Sequence, residues 1–189
     1  MNIFTKVIIV LLVLTAVPAG ATGTVTVGDV VFSENITIAD TVLKLKGSAV
    51  LRYLALFKAY AGAFYLPPET AAWEGGSPVP CRLELSYYRA ITAADFDRAT
   101  RKKVADNVDT ATYARLAERL DRFGAMYRDV RPGDRYALNY VPGLGTELTL
   151  NGASLGRIPG ADFAAAVFAI WLGANPIDDN FKTALLGRS

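Results

Sequence analysis

The 189-residue chain contains no histidine, which excludes a large group of catalytic and metal sites. Without an imidazole there is no Ser-His-Asp triad, no Cys-His dyad and no histidine-ligated zinc or iron. Any proton transfer would have to use carboxylates, tyrosine or lysine. From the sequence we therefore assign no catalytic residue and no metal ligand.

Cysteine is almost as scarce, because Cys81 is the only one. The chain therefore cannot form an internal disulfide. We interpret Cys81 as a small buried residue, and a reactive thiol is the alternative.

No segment has the excess of positive charge that is typical of nucleic-acid binding. The chain has 20 basic and 18 acidic side chains, and both signs are scattered along it. The one basic cluster, Arg101-Lys102-Lys103, lies among Asp95, Asp97 and Asp106. A solvated helix face explains this pattern, so we expect no nucleic-acid partner.

The N-terminus combines a single cation with a continuous apolar run. Lys6 is followed by the apolar residues 7–14, and Ala19-Gly20-Ala21 forms an A-x-A cleavage site. This order is typical of a secretory signal peptide, whereas an uncleaved anchor would need about 20 apolar residues. We predict a signal peptide over residues 1–21, one domain over residues 22–189, and no stable membrane span after cleavage.

Alternating and β-branched patterns predict two groups of strands. The first group is Val25–Val31, Thr41–Lys46, Ala49–Leu66 and Arg82–Tyr88, and the second is Arg135–Val141, Thr146–Leu150 and Ala153–Ile158. The Asn151-Gly152 pair predicts a tight hairpin in the second group. Residues 69–80, which are rich in glycine and proline, are predicted to form a surface loop.

Helical spacing occupies the segments between and after these groups. A capping-box pattern at Thr92–Asp95 begins the first helix, which continues to Asn107. Further helices are predicted at about residues 110–126, 161–172 and 179–186. Blocks of strands and helices are typical of an α+β protein, with an antiparallel sheet covered on one face by helices. An apolar ligand can enter the gap between such layers.

Two segments resemble the chalcone isomerase-like family. They are "LKGSAVLRYLALFKAYAGAFYLP" (45–67) and "LNGASLGRIPGADFAAAVFAIWLGANPIDDNFKTALLG" (150–187), the latter with its W-L-G, P-x-D and L-L-G signature. With the order of elements, the resemblance covers nearly all of the chain after residue 21. The secreted bacterial branch is the most similar. The resemblance implies an open-faced β-sandwich with a cleft between sheet and helices and, together with the signal peptide, a periplasmic or secreted bacterial protein.

The resemblance also implies two kinds of activity in that cleft. Plant chalcone isomerases close a phenol onto an enone without a cofactor, and non-catalytic relatives hold a fatty acid through an arginine and a tyrosine. Arg52 matches this arginine and Tyr60 matches this tyrosine, at a position where plant enzymes have threonine. A guanidinium offers a carboxylate two parallel donors, and a phenol adds a third. On composition alone, Arg52 would be an edge-strand residue with its charged end in water.

Arg52 and Tyr60 can share one anion only if the chain reverses between them. Eight residues along a continuous strand span roughly 26 Å. A reversal near Leu56 would bring the two residues opposite each other. The segment "LALF" nevertheless contains no Gly, Pro, Asn or Asp to indicate a turn.

Two more candidate ligand-binding residues lie in the first helix. Asn107 matches the asparagine of a plant V-T-E-N motif, and the alternative for Asn107 is a helix-end cap. Seven residues earlier, Thr100 occupies the position of the plant tyrosine that helps to hold the substrate ketone. Trp171 is interpreted as a core residue, and Tyr127 either lines the cleft or packs in the core.

Three functions therefore stay open. The first is a non-catalytic exported protein that binds a fatty acid or similar apolar carboxylate at Arg52, Tyr60, Thr100 and Asn107. The second is a cofactor-free isomerase or lyase acting on an enone, in which Arg52 stabilises an oxyanion. The third is a structural or partner-binding protein whose cleft is filled by its own side chains. The threonine at position 100 and the lack of histidine favour the first. No cofactor is implied by any of them.

Overall fold

The structure, a computed structural model, describes residues 23–53, 56–70, 73 and 79–188. The predicted signal peptide lies outside the described residues. The strands are β1 (Thr24–Val27), β2 (Val30–Ser33), β3 (Asn35–Ile38), β4 (Thr41–Tyr53), β5 (Phe57–Leu66), β6 (Cys81–Tyr87), β7 (Arg135–Val141), β8 (Gly145–Leu150) and β9 (Ala153–Ile158). The helices are α1 (Ala93–Ala105), α2 (Thr110–Gly124), α3 (Ala161–Leu172) and α4 (Asp179–Leu185).

Seven strands form one antiparallel sheet in the order β3-β4-β5-β6-β7-β8-β9, and β1 and β2 form a separate hairpin. Every neighbour in the large sheet is also the next strand along the chain. The Asn151-Gly152 turn between β8 and β9 has φ values of 51° and 83°. A two-residue turn with both residues at positive φ matches the twist of the strands it joins. The predicted hairpin is therefore confirmed.

The two faces of the sheet are covered differently. Leu83, Leu85 and Tyr87 of β6 pack on one face in a large apolar core that includes residues of all four helices. On the opposite face, Ala61, Ala63 and Tyr65 of β5 pack in a smaller core with residues of β2, β3 and β4. The α+β, open-faced architecture expected from the sequence is confirmed.

The structure corrects three of the predicted segments. Residues 25–31 form two strands because the chain turns at Gly28, where φ is 66°. Residues 49–66 belong to β4 and β5, so the chain does reverse near Leu56. Trp73, predicted to lie in a surface loop, is buried against Phe64 and Phe168, since a large indole gains free energy by leaving water.

Polar caps explain where three of the helices begin. The side chains of Thr92, Asp109 and Asp178 accept hydrogen bonds from backbone N–H groups in the first turns of α1, α2 and α4.

Cys81 is fully buried, as expected, and burial raises the pKa of its thiol. In the part of the chain that the structure describes, every helix is too short or too polar to cross a bilayer.

A tyrosine-lined cavity between sheet and helices

A cavity of about 260 Å³ lies between the large sheet and the helical layer. Its wall is formed by inward-facing side chains of β5 to β8, by α1 and α3, and by the segment that follows α3. Most of the lining is aromatic or aliphatic, including Tyr60, Leu85, Tyr87, Phe96, Ile170 and Trp171. An apolar concave site with a few polar groups is the usual form of a small-molecule site.

Tyr60 of β5 is held by residues from two helices. The indole Nε1 of Trp171 donates a hydrogen bond of 2.9 Å to the Tyr60 hydroxyl, and the Phe181 ring packs edge-on at 5.5 Å. Burial raises the pKa of Tyr60, so its phenol is neutral at physiological pH. The hydroxyl accepts from Trp171, and its own proton has no acceptor among the described residues.

Tyr87 of β6 lies beside Tyr60, with the two ring centroids 5.6 Å apart. Only 4% of Tyr87 is exposed, yet its hydroxyl forms no hydrogen bond to any residue that the structure describes. Burial raises the pKa of this phenol well above its usual value, and the nearby Tyr60 raises it further. By contrast, Tyr136 accepts from the backbone N–H of Arg128 and donates to its carbonyl.

Thr100 of α1 lines the cavity and forms a 2.7 Å hydrogen bond with the Tyr127 hydroxyl. Both residues are buried, and burial raises the pKa of Tyr127. Whichever hydroxyl donates, the other retains a proton. The pair therefore keeps one donor for a further acceptor.

Charged side chains reach the cavity only at its rim, among the described residues, and both are on α1. Asp95 already accepts from Thr92 and from Arg98. The ammonium of Lys103 donates to the Pro176 and Asn175 carbonyls at 3.1 and 3.4 Å. The ammonium also lies 3.6 Å from the Asp106 carboxylate, and the Lys103 side chain, which is 24% exposed, borders both the cavity and solvent.

Arg52 lies on the opposite face of the sheet from the cavity. Leu51 pairs with Tyr60, but Arg52 pairs with Lys58, so Ala59 is an extra residue in β5. This β-bulge leaves Arg52 exposed on the side of Lys58, whose ammonium bonds to Asp29 and lies over the Tyr88 ring. Arg52 also borders a groove at the edge of β4, together with Asp178 and Phe181 of the α4 region.

Asn107 does not line the cavity and instead ties the end of α1 to the segment after α3. Its amide nitrogen donates to the carbonyls of Lys103 and Asn175, and its amide oxygen accepts from the Asn175 N–H. This geometry fits the alternative interpretation of Asn107, in which its side chain caps the end of α1. Of the four predicted ligand-binding residues, the structure brings Tyr60 and Thr100 to one cavity and leaves Arg52 and Asn107 outside it. Their roles in binding stay predictions.

Three of the lining residues that the sequence did not assign to a site are Tyr87, Lys103 and Trp171. Tyr87 follows Leu83 and Leu85 in the alternation of β6, which already indicated an inward side chain. Lys103 was grouped with a solvated cluster, although it is spaced three and seven residues from Thr100 and Phe96 on α1. Trp171, interpreted as core, is only half-buried and lines the cavity.

The sequence profile of the chalcone isomerase-like family matches residues 24–187. The chain belongs to this family. Its structure is similar to the crystal structure of a fatty-acid binding protein from Arabidopsis thaliana, with a TM-score of 0.68 and 15% identity. The similarity covers 87% of this chain and 96% of the plant chain. No curated protein sequence matches the chain. At this identity the structural likeness shows the shared fold.

Proposed function

We propose that this protein binds a fatty acid or a similar apolar carboxylate, without catalysis, in the cavity between sheet and helices. The observation that carries the proposal is an apolar cavity with a single cation, Lys103, at its rim. The similar plant structure is a fatty-acid binding protein of the same fold, which supports this class of ligand. The alkyl chain occupies the cavity, and the carboxylate lies at the rim.

This orientation follows from the cost of burying charge. A carboxylate moved into an apolar cavity without a cation loses its hydration and gains little in return. Tyr60, Tyr87 and Tyr127 are neutral phenols and do not balance a full charge. Lys103 carries a positive charge at the rim, 3.6 Å from Asp106, and a charge-assisted hydrogen bond from an ammonium is among the stronger polar contacts.

The alternatives to a carboxylate binder fit the geometry less well. An isomerase of the expected type would place Arg52 beside Tyr60, but the bulge at Ala59 puts these residues on opposite faces of the sheet. A structural protein with a filled cleft would have no space between its layers, whereas about 260 Å³ stays open here. We retain export through the N-terminal signal peptide as part of the proposal.

Isothermal titration with decanoate and with decanol tests the proposal. We expect Lys103→Met to weaken decanoate binding about tenfold or more, since the ammonium contact is lost. Decanol, which has no charge, should bind the wild type and this variant within about twofold. Arg52→Ala is the matched control, because it removes an exposed cation from the other face, and it should bind decanoate within about twofold of the wild type.

The outcomes separate the hypotheses. No binding of decanoate or of shorter and longer saturated acids by the wild type would rule out the proposed function. A large loss in Arg52→Ala, with Lys103→Met unaffected, would instead establish the arginine contact predicted from the family resemblance. An equal loss of decanoate and decanol in Lys103→Met would show that Lys103 only holds the segment after α3.

A further inference from the structure

Two hydroxyl groups in the cavity wall have hydrogen-bonding capacity that no described residue uses. Tyr87 is 4% exposed, and its hydroxyl lacks any partner in the described part of the chain. Tyr60 is 7% exposed and accepts from Trp171, but its proton is unused. Both side chains line the same cavity, and their rings are in edge-to-face contact. The wall therefore carries two neighbouring donors.

From these donors we infer that the ligand carries a second oxygen, an oxo group on its alkyl chain, which accepts hydrogen bonds from Tyr60 and Tyr87. This inference rests on the proposed function. It assigns a partner to the inner part of the ligand, whereas the proposed function assigns Lys103 to the carboxylate.

A saturated chain is a poor match for this part of the wall. It would cover the two hydroxyls with methylene groups, and a buried polar group without a partner is costly. Sites that are built to hydrogen-bond one oxygen discriminate strongly against analogues that lack it. A ligand with an oxygen at this position would satisfy both donors.

The chemistry of the two phenols favours a neutral oxygen over a charged one. Burial keeps both groups protonated, so each can donate. The Tyr60 oxygen already accepts the Trp171 hydrogen bond, which directs Tyr60 towards a donor role. A carbonyl oxygen has two lone pairs and can accept from both hydroxyls. The carboxylate itself is better placed beside Lys103, where a positive charge balances it.

Titration of the full mature chain with decanoate and with a series of oxodecanoates, differing in the position of the oxo group, tests the inference. At least one oxodecanoate should bind the wild type about tenfold more tightly than decanoate, since burial of two unpaired hydroxyls is avoided. Tyr87→Phe should reduce that preference to about threefold or less. The variant should bind decanoate at least as tightly as the wild type, because the unpaired hydroxyl is gone.

Tyr87→Phe is a clean variant, since its hydroxyl has no partner in the described residues and the aromatic packing is retained. Its melting temperature should equal or exceed that of the wild type. Tyr140→Phe is the matched control, because Tyr140 is a buried tyrosine of β7 that does not line the cavity. It should leave the preference for the oxo acid unchanged.

Several results would overturn the inference while leaving the proposed function intact. One is that decanoate binds and no oxodecanoate binds more tightly. A second is that the preference survives in Tyr87→Phe. A third is that Tyr87→Phe weakens decanoate and oxodecanoate equally, which would place the carboxylate, and not an oxo group, at the tyrosine pair. Failure of the wild type to bind any of these acids would instead reject the proposed function.

Discussion

Trp171 of α3 and Tyr60 of β5 are joined by a 2.9 Å hydrogen bond that spans the helical layer and the sheet. The bond fixes the indole in the cavity wall and occupies the acceptor side of the phenol. A shift of α3 that broke this bond would therefore change the hydrogen bonds that Tyr60 can form in the cavity.

The fluorescence of Trp171 should report on ligand binding. The chain has two tryptophans, and only Trp171 lines the cavity, whereas Trp73 packs against Phe64 and Phe168. We expect decanoate to shift or quench the emission of the wild type because it replaces solvent around the indole. In Trp171→Phe the remaining emission should not respond. A full response in this variant would mean that the ligand lies near Trp73 instead.

The buried hydrogen bond between Thr100 and Tyr127 should contribute measurably to folding. Thr100→Val leaves the Tyr127 hydroxyl without its partner, and we expect a loss of about 1–2 kcal/mol in the free energy of unfolding. Tyr127→Phe should cost a similar amount. The double variant, measured by urea denaturation, should be less destabilised than the two single losses combined. Strict additivity would argue against a direct bond.

Gly62 should resist substitution because of Phe181. A Cβ atom at position 62 would lie 2.6 Å from the tip of the Phe181 ring and 3.2 Å from a Leu85 methyl carbon. We expect Gly62→Ala to lower the free energy of unfolding by about 1–3 kcal/mol through overpacking. In a Phe181→Leu background the same change should cost less than half as much. If Gly62→Ala lowered the free energy of unfolding equally in both backgrounds, the effect would come from the backbone at position 62 and not from the Phe181 ring.

The ion pair between Arg119 and Asp162 should contribute to stability in a pH-dependent manner. Hydrogen bonds from Arg119 lower the pKa of Asp162 from 3.8 to about 2. Because the folded state holds the proton less tightly, this contribution is present above about pH 4 and is lost as the pH falls towards 2. The Asp162 side chain is 55% exposed, so we expect only about 0.5–1 kcal/mol at pH 7.

Asp162→Asn should therefore differ most from the wild type at neutral pH, and the two free energies of unfolding should converge near pH 2. Glu118→Gln is the control, since Glu118 is an exposed carboxylate of α2 without an ion pair among the described residues. It should follow the wild type at every pH. A difference between Asp162→Asn and the wild type that does not change with pH would exclude the electrostatic explanation.

The periodicity of the sequence predicted most of the fold. Both the meander of residues 135–158 and the helix at residues 161–172 lie at the predicted positions, because alternating and helical apolar patterns there agree with local turn signals. The split of residues 49–66 was foreseen only through the family resemblance. The segment between the two strands contains no Gly, Pro, Asn or Asp, so its own sequence does not indicate a turn.

Less of the candidate site than of the fold could be predicted from the sequence. The predicted pairing of Arg52 with Tyr60 assumed a regular hairpin, and a bulge is not encoded in any residue type when its extra residue is an alanine. Lys103 and Trp171 belong to ordinary helical faces, and only the packing of α1 against α3 shows that these faces meet at an open space. The alternation of β6 indicated that Tyr87 points inward, but only the structure shows that its hydroxyl meets the cavity without a partner among the described residues.

The extra alanine at position 59 determines which face of the sheet Lys58 and Phe57 occupy at the end of the β4–β5 hairpin. Side chains alternate between faces along a strand, but the extra residue of a bulge interrupts this alternation, so Lys58 and Tyr60 point to opposite faces although they are two residues apart. In an unbulged strand of the same sequence, Lys58 would lie on the face of Tyr60, towards the helices, and Phe57 on the other face. A change of pairing that removed the bulge without removing a residue would therefore present opposite chemistry at the end of the same sheet, without any substitution in the cavity itself.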